Sequence, residues 1–279
     1  MSEVINETEF EIDLFRKSIA LVQGIYFVSL IPRLNDFFGV GGWVSPLYKG
    51  NVFSLLRLSN SEMFRWVLLF LALGFLFMLF KGVFNKLSLL FFYLVNLSFY
   101  TWNPYIQHEA QPIMNLFFIA MFFLPTNNQK QHDPFIKNAL IVMLGIYYFL
   151  AGIKKLPDKH FLDATAIEGI LSWNVMAKNI NFNLFLVNYL KWPMRAMTYL
   201  TLFFEMSFIF AIFTRFRLYY LVFGVLFHFL IFLTIDVGNL SFVMLCWYVL
   251  LLDSDTRKKF SNIIEKMRLN LFKFIFKRV

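Results

Sequence analysis

Cysteine, charge and catalytic signature motifs are all scarce in this sequence. A single cysteine, Cys246, excludes an intramolecular disulfide and a Cys-x-x-Cys redox or zinc site. Only 15% of the 279 residues are charged, whereas soluble domains have about 25%. Walker A, Gly-x-Gly-x-x-Gly and His-Glu-x-x-His motifs do not occur, so no motif indicates nucleotide binding or a metal site.

Apolar residues are abundant instead. They make up 59% of the chain, and 39 of them are phenylalanine. A water-soluble fold of this length could not remove so much apolar surface from water, so lipid is the expected solvent. Apolar segments follow one another from about residue 18 to residue 252, which favours one domain. The expected fold is an all-α, polytopic transmembrane bundle.

About eight segments are expected to span the membrane. A crossing helix needs roughly 20 apolar residues, and shorter runs can span when flanking Lys and Arg side chains reach the interface. The predicted spans are residues 18–32, 66–80, 87–107, 110–129, 138–153, 196–214, 218–235 and 237–252.

Charge near the spans predicts the orientation. The short turns predicted to be cytoplasmic carry Lys81 with Lys86, Lys130 with Lys137, and Arg215 with Arg217. The turns 102–109 and 236–239 carry no Lys or Arg, so both termini are expected in the cytoplasm. Residues 1–13 form an acidic N-terminal segment, which does not look like a cleaved signal peptide.

The C-terminal segment 254–279 accounts for most of the basic charge. Residues 253–279 hold eight basic and three acidic residues, which contribute +5 of the formal net charge of +9. Helical spacing of the apolar positions predicts an amphipathic helix on an anionic lipid leaflet, and the alternative is a solvated tail. The basicity is therefore a property of the tail and does not indicate nucleic-acid binding.

Lys154 and Lys155 end the fifth predicted span, on the outer side. They are either boundary residues that reach the interface, or a functional pair. Desolvation disfavours the charged form of a lysine, so a lysine in an apolar site can act as a neutral base. Repulsion from an adjacent lysine favours the same form.

Ionisable or polar residues within or beside other spans are further candidates. Glu205 and His228 lie inside spans, where such residues are costly and are often functional, although a structural interhelical hydrogen bond is equally open. Asn96 is a candidate for interhelical hydrogen bonding. His108 lies in an outer turn, on the same predicted side as the lysines and His228.

These residues resemble the vitamin K-dependent gamma-carboxylases and the wider bacterial HTTM (horizontally transferred transmembrane) group. The resemblance rests on the Ala-Gly-Ile-Lys-Lys-Leu sequence at 151–156, His108 upstream of it, and Glu205 in the next span. Further similarity lies in Phe227-His228 followed by 241–245, and in Phe15-Arg16 with 39–43. It covers roughly residues 14–253.

The resemblance implies a membrane enzyme that acts at the outer face on a peptide or protein substrate. In the carboxylases, the lysine that matches Lys155 deprotonates a reduced vitamin K, and its reaction with oxygen gives a strong base. That base removes a proton from a peptide glutamate, which then captures carbon dioxide. The residue that matches His108 belongs to the same site, with Lys154 nearby and Glu205 and His228 as pocket residues.

Several other functions remain open. The carboxylases carry a large extramembrane portion after the last span, whereas this chain ends soon after it. Some short bacterial relatives resemble a membrane factor that matures toxin peptides with a partner protein. The chain could also be a non-catalytic membrane subunit, an immunity factor or a small-solute transporter, although no paired half-repeat indicates a transporter.

Overall fold

The computed structural model describes residues 2–39, 54–102, 110–123, 134–174 and 177–252. Within these ranges the regular structure is helical, apart from one isolated antiparallel bridge between Ala177 and Ile235. The all-α class is confirmed. The amphipathic helix predicted for 254–279 lies outside the described residues.

Twelve α-helices lie in the described part of the chain. The eight longer ones, with the last counted through its 3-10 continuation to Leu251, are α1 (Ser2–Leu30), α3 (Glu62–Lys81), α4 (Lys86–Trp102), α5 (Ala110–Phe123), α6 (Pro134–Lys155), α10 (Lys191–Ala211), α11 (Arg217–Thr234) and α12 (Leu240–Tyr248). The short ones are α2 (Leu34–Phe38), α7 (Lys159–Leu162), α8 (Ala166–Ser172) and α9 (Ile180–Tyr189).

Four helical stretches among the described residues are long and apolar enough to cross a membrane. They are Glu9–Phe38, Glu62–Lys81, Phe135–Lys155 and Arg217–Thr234. Pro112–Phe122 and Leu240–Leu251 are apolar but shorter. The other two longer helices differ for separate reasons: α4 has 17 residues, and α10 carries Lys191, Arg195 and Glu205.

The acidic N-terminal segment is continuous with the first helix, because α1 begins at Ser2. Glu11 is buried and forms an ion pair with Lys137 of α6, and Arg16 is paired with Asp13. Arg16 also donates to the carbonyls of Leu79 and Phe80 at the C-terminal end of α3. The polar residues of α1 therefore connect it to two other helices.

A glycine ends α3 beside this arginine. Gly82 has φ +76°, a left-handed conformation that costs glycine little, and its N–H donates to the carbonyl of Leu79 at 3.1 Å. A Cβ at this position would lie 3.0 Å from the Arg16 guanidinium. The turn thus provides both the helix end and the space for Arg16.

Aromatic rings fill much of the core. Phe15 contacts Phe117 and Trp247 edge-to-face, with centroids 5.4 and 4.9 Å apart. Phe27 and Phe99 make a similar contact at 5.5 Å. Edge-to-face pairs stabilise beyond the burial of area alone, and they join α1 to α4, α5 and α12 here.

Glycines allow α6 and α10 to approach closely. A Cβ at Gly145 would lie 2.9 Å from Ile209 Cγ1, and one at Gly152 would lie 2.7 Å from Met206 Cγ. Gly145 and Gly152 are seven residues apart and therefore lie on one face of α6. Small residues at such contacts let two helix backbones come together, as in many membrane bundles.

Replacement of Gly145 by alanine should therefore destabilise the bundle. Ile209 is β-branched and has little freedom to move, so we expect Gly145→Ala to cost about 1–3 kcal/mol through overpacking. The matched control is Gly74→Ala in α3, where an added Cβ meets nothing within 4 Å. Thermal unfolding in detergent checks the difference, and equal midpoints for the two variants would contradict the close α6–α10 contact.

Candidate functional site

The same face of α6 that carries the glycines also carries Lys155. Gly152 and Lys155 are three residues apart, so both are directed towards α10. The Lys155 ammonium forms an ion pair with Glu205 Oε1 of α10. A Cβ on Gly152 would also lie 3.3 Å from Glu205 Cβ. The glycine thus provides the close packing that brings the lysine to the carboxylate.

The Lys155–Glu205 pair is largely removed from solvent. Glu205 retains 7% of its side-chain exposure and Lys155 retains 30%. The ammonium also lies 5.6 Å from the centre of the Phe161 ring, a cation–π contact. Glu205 Oε2 is buried without a hydrogen-bond partner among the described residues. The carboxylate therefore has one oxygen on lysine and one free to accept a further hydrogen bond.

Lys154 does not join this pair. Adjacent residues on a helix project about 100° apart, and Lys154 is exposed, whereas Lys155 is partly buried. The structure thus places a carboxylate, and not the neighbouring lysine, beside Lys155. Lys154 suits the boundary role that the sequence left open.

A second buried polar cluster lies two helical turns along α6. The Tyr148 hydroxyl contacts His228 Nε2 of α11 at 2.7 Å and also hydrogen-bonds the Tyr248 hydroxyl of α12. All three side chains are buried, at 3% exposure or less. His228 Nδ1 has no hydrogen-bond partner among the described residues. Three helices are therefore joined by one chain of hydrogen bonds.

The two clusters belong to one polar region. Tyr148 and Lys155 are seven residues apart, which corresponds to about 10.5 Å along the helix axis and to the same face. Glu205 lies close enough to Tyr148 to interact with it electrostatically, and Lys155 lies close enough to His228. Phe204, the neighbour of Glu205, contacts the Tyr148 ring at 5.4 Å. The rest of the surrounding surface is mainly aromatic.

The other predicted residues are not brought into this region. Asn96 is buried, with its Nδ2 lacking a hydrogen-bond partner in the described structure, but its helix α4 packs mainly on α3 and α5. His108 lies outside the described residues. Among the sequence candidates, the structure therefore unites Lys155, Glu205 and His228.

Two tyrosines and a second ion pair were missed from sequence. Tyr148 and Tyr248 looked like ordinary aromatic residues of apolar spans, although a tyrosine at such depth needs a partner for its hydroxyl. In the sequence, Glu11 belongs to the acidic segment and Lys137 to a turn predicted to be cytoplasmic. Only the packing of α1 against α6 brings them together.

No group of three or more His, Cys, Asp or Glu side chains in the described ranges could hold a metal ion. Comparison with known proteins gave no match to a family model, to a curated protein or to a solved structure.

A double-mutant cycle should detect the Lys155–Glu205 interaction. Removal of one partner from a buried pair costs about 3–5 kcal/mol, and the partial exposure of Lys155 favours the lower end. We expect Lys155→Met and Glu205→Gln each to destabilise the protein, and the double variant to lose less than their sum. Thermal unfolding of all three checks this, with exposed Lys154→Met as the control. Strict additivity would show that the two side chains do not interact.

The tyrosine–histidine chain predicts an order of effects. Tyr148→Phe leaves both His228 Nε2 and the Tyr248 hydroxyl without their partner, whereas Tyr248→Phe keeps the Tyr148–His228 bond. Because each unsatisfied buried group costs about 1–3 kcal/mol, Tyr148→Phe should be the more destabilising change. Unfolding midpoints of the two variants test this, and a larger loss for Tyr248→Phe would refute the central position of Tyr148.

Proposed function

We propose that this protein is a multi-pass membrane enzyme of the HTTM and vitamin K-dependent gamma-carboxylase type, in which Lys155 acts as a base. The observation that supports this is the Lys155–Glu205 pair, which joins a lysine to a carboxylate inside an apolar helical bundle. A charge so placed is costly, and in membrane bundles it commonly marks a site of chemistry.

Glu205 would let Lys155 work as a neutral amine. Two opposite charges in a poorly solvated site can be neutralised together if the ammonium proton moves to the carboxylate. Lys155 then has a free electron pair, and the largely buried Glu205, with 7% of its side chain exposed, holds the proton. A hydrogen bond between the two groups is already in place for that transfer. Lys155 can next accept a proton from a substrate.

The polar atoms of this region suit the head group of a reduced quinone. Glu205 Oε2 is buried and can accept a hydrogen bond from a hydroxyl, and the rings of Phe161 and Phe204 provide an apolar surrounding. When bound, a reduced quinone supplies an acidic hydroxyl and reducing electrons. Lys155 and Glu205 would hold its hydroxyl end, while the surrounding aromatic residues exclude water from the base.

The proposed topology extends the four long apolar helices to eight spans. The eight longer helices overlap the eight apolar segments of the sequence, and a helix that is shorter or more charged than a usual span can be covered by its neighbours in a bundle. The protein would lie in the cell membrane, with both termini on its cytoplasmic side. Lys155, at the C-terminal end of α6, would then lie on the outer side, where a peptide or protein substrate would reach it.

A second candidate function is that of a non-catalytic membrane subunit, or of a toxin-peptide maturation or immunity factor with a partner protein. The Glu11–Lys137 pair favours it, because a second buried lysine–glutamate pair at the other end of α6 joins helices in the same way. Under this function, both ion pairs only hold helices together and take part in no reaction.

Lipid extraction separates the two functions. The protein is purified in detergent, and the extract is searched for a quinone by mass spectrometry, with Lys155→Ala and His228→Ala beside the parent protein. Lys154→Ala is the matched control, because it removes an exposed lysine one residue away. A binding role for the pair predicts a stoichiometric quinone that is lost with Lys155→Ala and retained with Lys154→Ala.

The opposite result would favour the structural subunit. If the folded parent protein and every variant lacked a quinone, the quinol-linked chemistry would be wrong. Retention of the quinone by Lys155→Ala would show that quinone binding does not need the lysine, and would contradict the proposal that Lys155 binds the quinone head group.

A further inference from the structure

Helix α9 has its polar and apolar residues reversed relative to a helix of a water-soluble protein. Asn183 is fully buried, at 0% exposure, whereas Phe182, Phe185 and Tyr189 are 45%, 53% and 75% exposed. The less exposed strip consists of Ile180, Asn183, Leu186 and Val187. Exposed side chains occupy the remainder of the helix circumference, and several of them are large and apolar.

Specific hydrogen bonds hold this reversed helix against the end of α11. Asn183 Nδ2 donates to the carbonyl of Thr234 at 2.9 Å, which explains the buried amide. Upstream of α9, the Lys178 N–H donates to the same carbonyl, and its Nζ donates to the carbonyl of Phe232 at 2.6 Å. The orientation is therefore determined by polar contacts that face the protein, which leaves the apolar side outward.

The position of these contacts determines the depth of α9 relative to the bilayer. Thr234 is the last residue of α11, and Arg217–Thr234 is one of the four stretches able to cross a membrane. A group attached to the end of a crossing helix lies at the boundary between the head groups and the acyl chains. Helix α9 is attached there through Asn183, and through Lys178 just before its first turn.

Residues on either side of α9 match that boundary. Trp173 and Trp192 are 55% and 77% exposed, and Arg195 lies 5.5 Å from the Trp192 ring. Tryptophan, tyrosine and basic side chains with long apolar stems concentrate at membrane interfaces, since one end of each is apolar and the other polar. Ten residues are too few to cross the bilayer.

We infer that α9 is an interfacial helix, embedded in the lipid at the boundary of the bilayer, with phospholipid as the partner of its exposed face. A groove-binding partner protein would meet a narrow apolar stripe, whereas here the exposed apolar residues spread widely around the helix. Lipid can cover such a surface from all directions.

This embedding bears on the site, because α9 packs against α8 and α10, and α10 carries Glu205. The leaflet depends on the topology proposed above, which makes it the outer one. The burial in lipid does not depend on that topology or on the chemistry of Lys155.

Spin-label accessibility tests the lipid contact in the full-length protein reconstituted in phosphatidylcholine and phosphatidylglycerol vesicles. Cys246, which is buried and free, is replaced by serine, and single cysteines are introduced by Phe185→Cys, Phe77→Cys and Asn60→Cys. Phe77 is 62% exposed in the C-terminal half of the apolar helix α3 and provides the lipid reference. Asn60, exposed in the turn before α3, provides the aqueous reference.

A label at 185 should collide with oxygen and be protected from a soluble nickel chelate, as the label at 77 is. Accessibility to nickel at the level of position 60 would overturn the proposal. Protection from both reagents would also overturn it, because that result means that protein and not lipid covers the face. Unchanged unfolding midpoints show that each variant is folded.

A second label separates the leaflet from the embedding. Asn174→Cys in the same background places a cysteine at an exposed position before α9, outside the face proposed to contact lipid. A membrane-impermeant maleimide added to intact cells should label it if α9 lies in the outer leaflet. Labelling only after permeabilisation would show the proposed topology to be inverted, while the accessibility result at 185 would still decide whether α9 contacts lipid.

Discussion

The ion pair between Lys155 and Glu205 is the interaction on which the arrangement of the bundle around the candidate site depends. In an apolar surrounding, a lone charge of either sign costs several kcal/mol, so each residue needs the other in place. That requirement fixes the register of α6 against α10, and Gly145 and Gly152 allow the approach. The resulting contact is specific because it combines close packing at the glycines with an ion pair, and lipid acyl chains can supply neither.

Polar contacts elsewhere in the bundle also determine which helix faces meet. The hydrogen bonds of Tyr148 connect α6 with α11 and α12, and the Glu11–Lys137 pair connects α6 with α1. Helices surrounded by lipid gain little from burying apolar surface against one another, so polar contacts and close packing decide which faces meet. Helix α6 is the common member, which makes it the organising helix of the described structure.

Hydropathy predicted the helical class and approximate positions of the longer helices, because uncharged apolar runs have few other folds available in lipid. The mid-span positions of Glu205 and His228 also marked them as residues that need partners. The identity of those partners depended on which helix faces meet, which a single sequence does not reveal. Composition does not distinguish Lys154 from Lys155, and the resemblance alone favours Lys155 as the base; their orientation about α6 shows which lysine is paired and which is exposed. The buried amide of Asn183 depended in the same way on contact with α11.

The most direct test of the account is whether Lys155 and Glu205 share a proton inside the folded protein. Solid-state NMR of protein labelled with ¹⁵N at the lysine side chains, in lipid bilayers, reports on each ammonium group. We expect one signal displaced from those of exposed lysines, absent in Lys155→Arg and shifted in Glu205→Gln, but unchanged in Lys154→Arg. A spectrum in which no lysine signal depends on both Lys155 and Glu205 would contradict it.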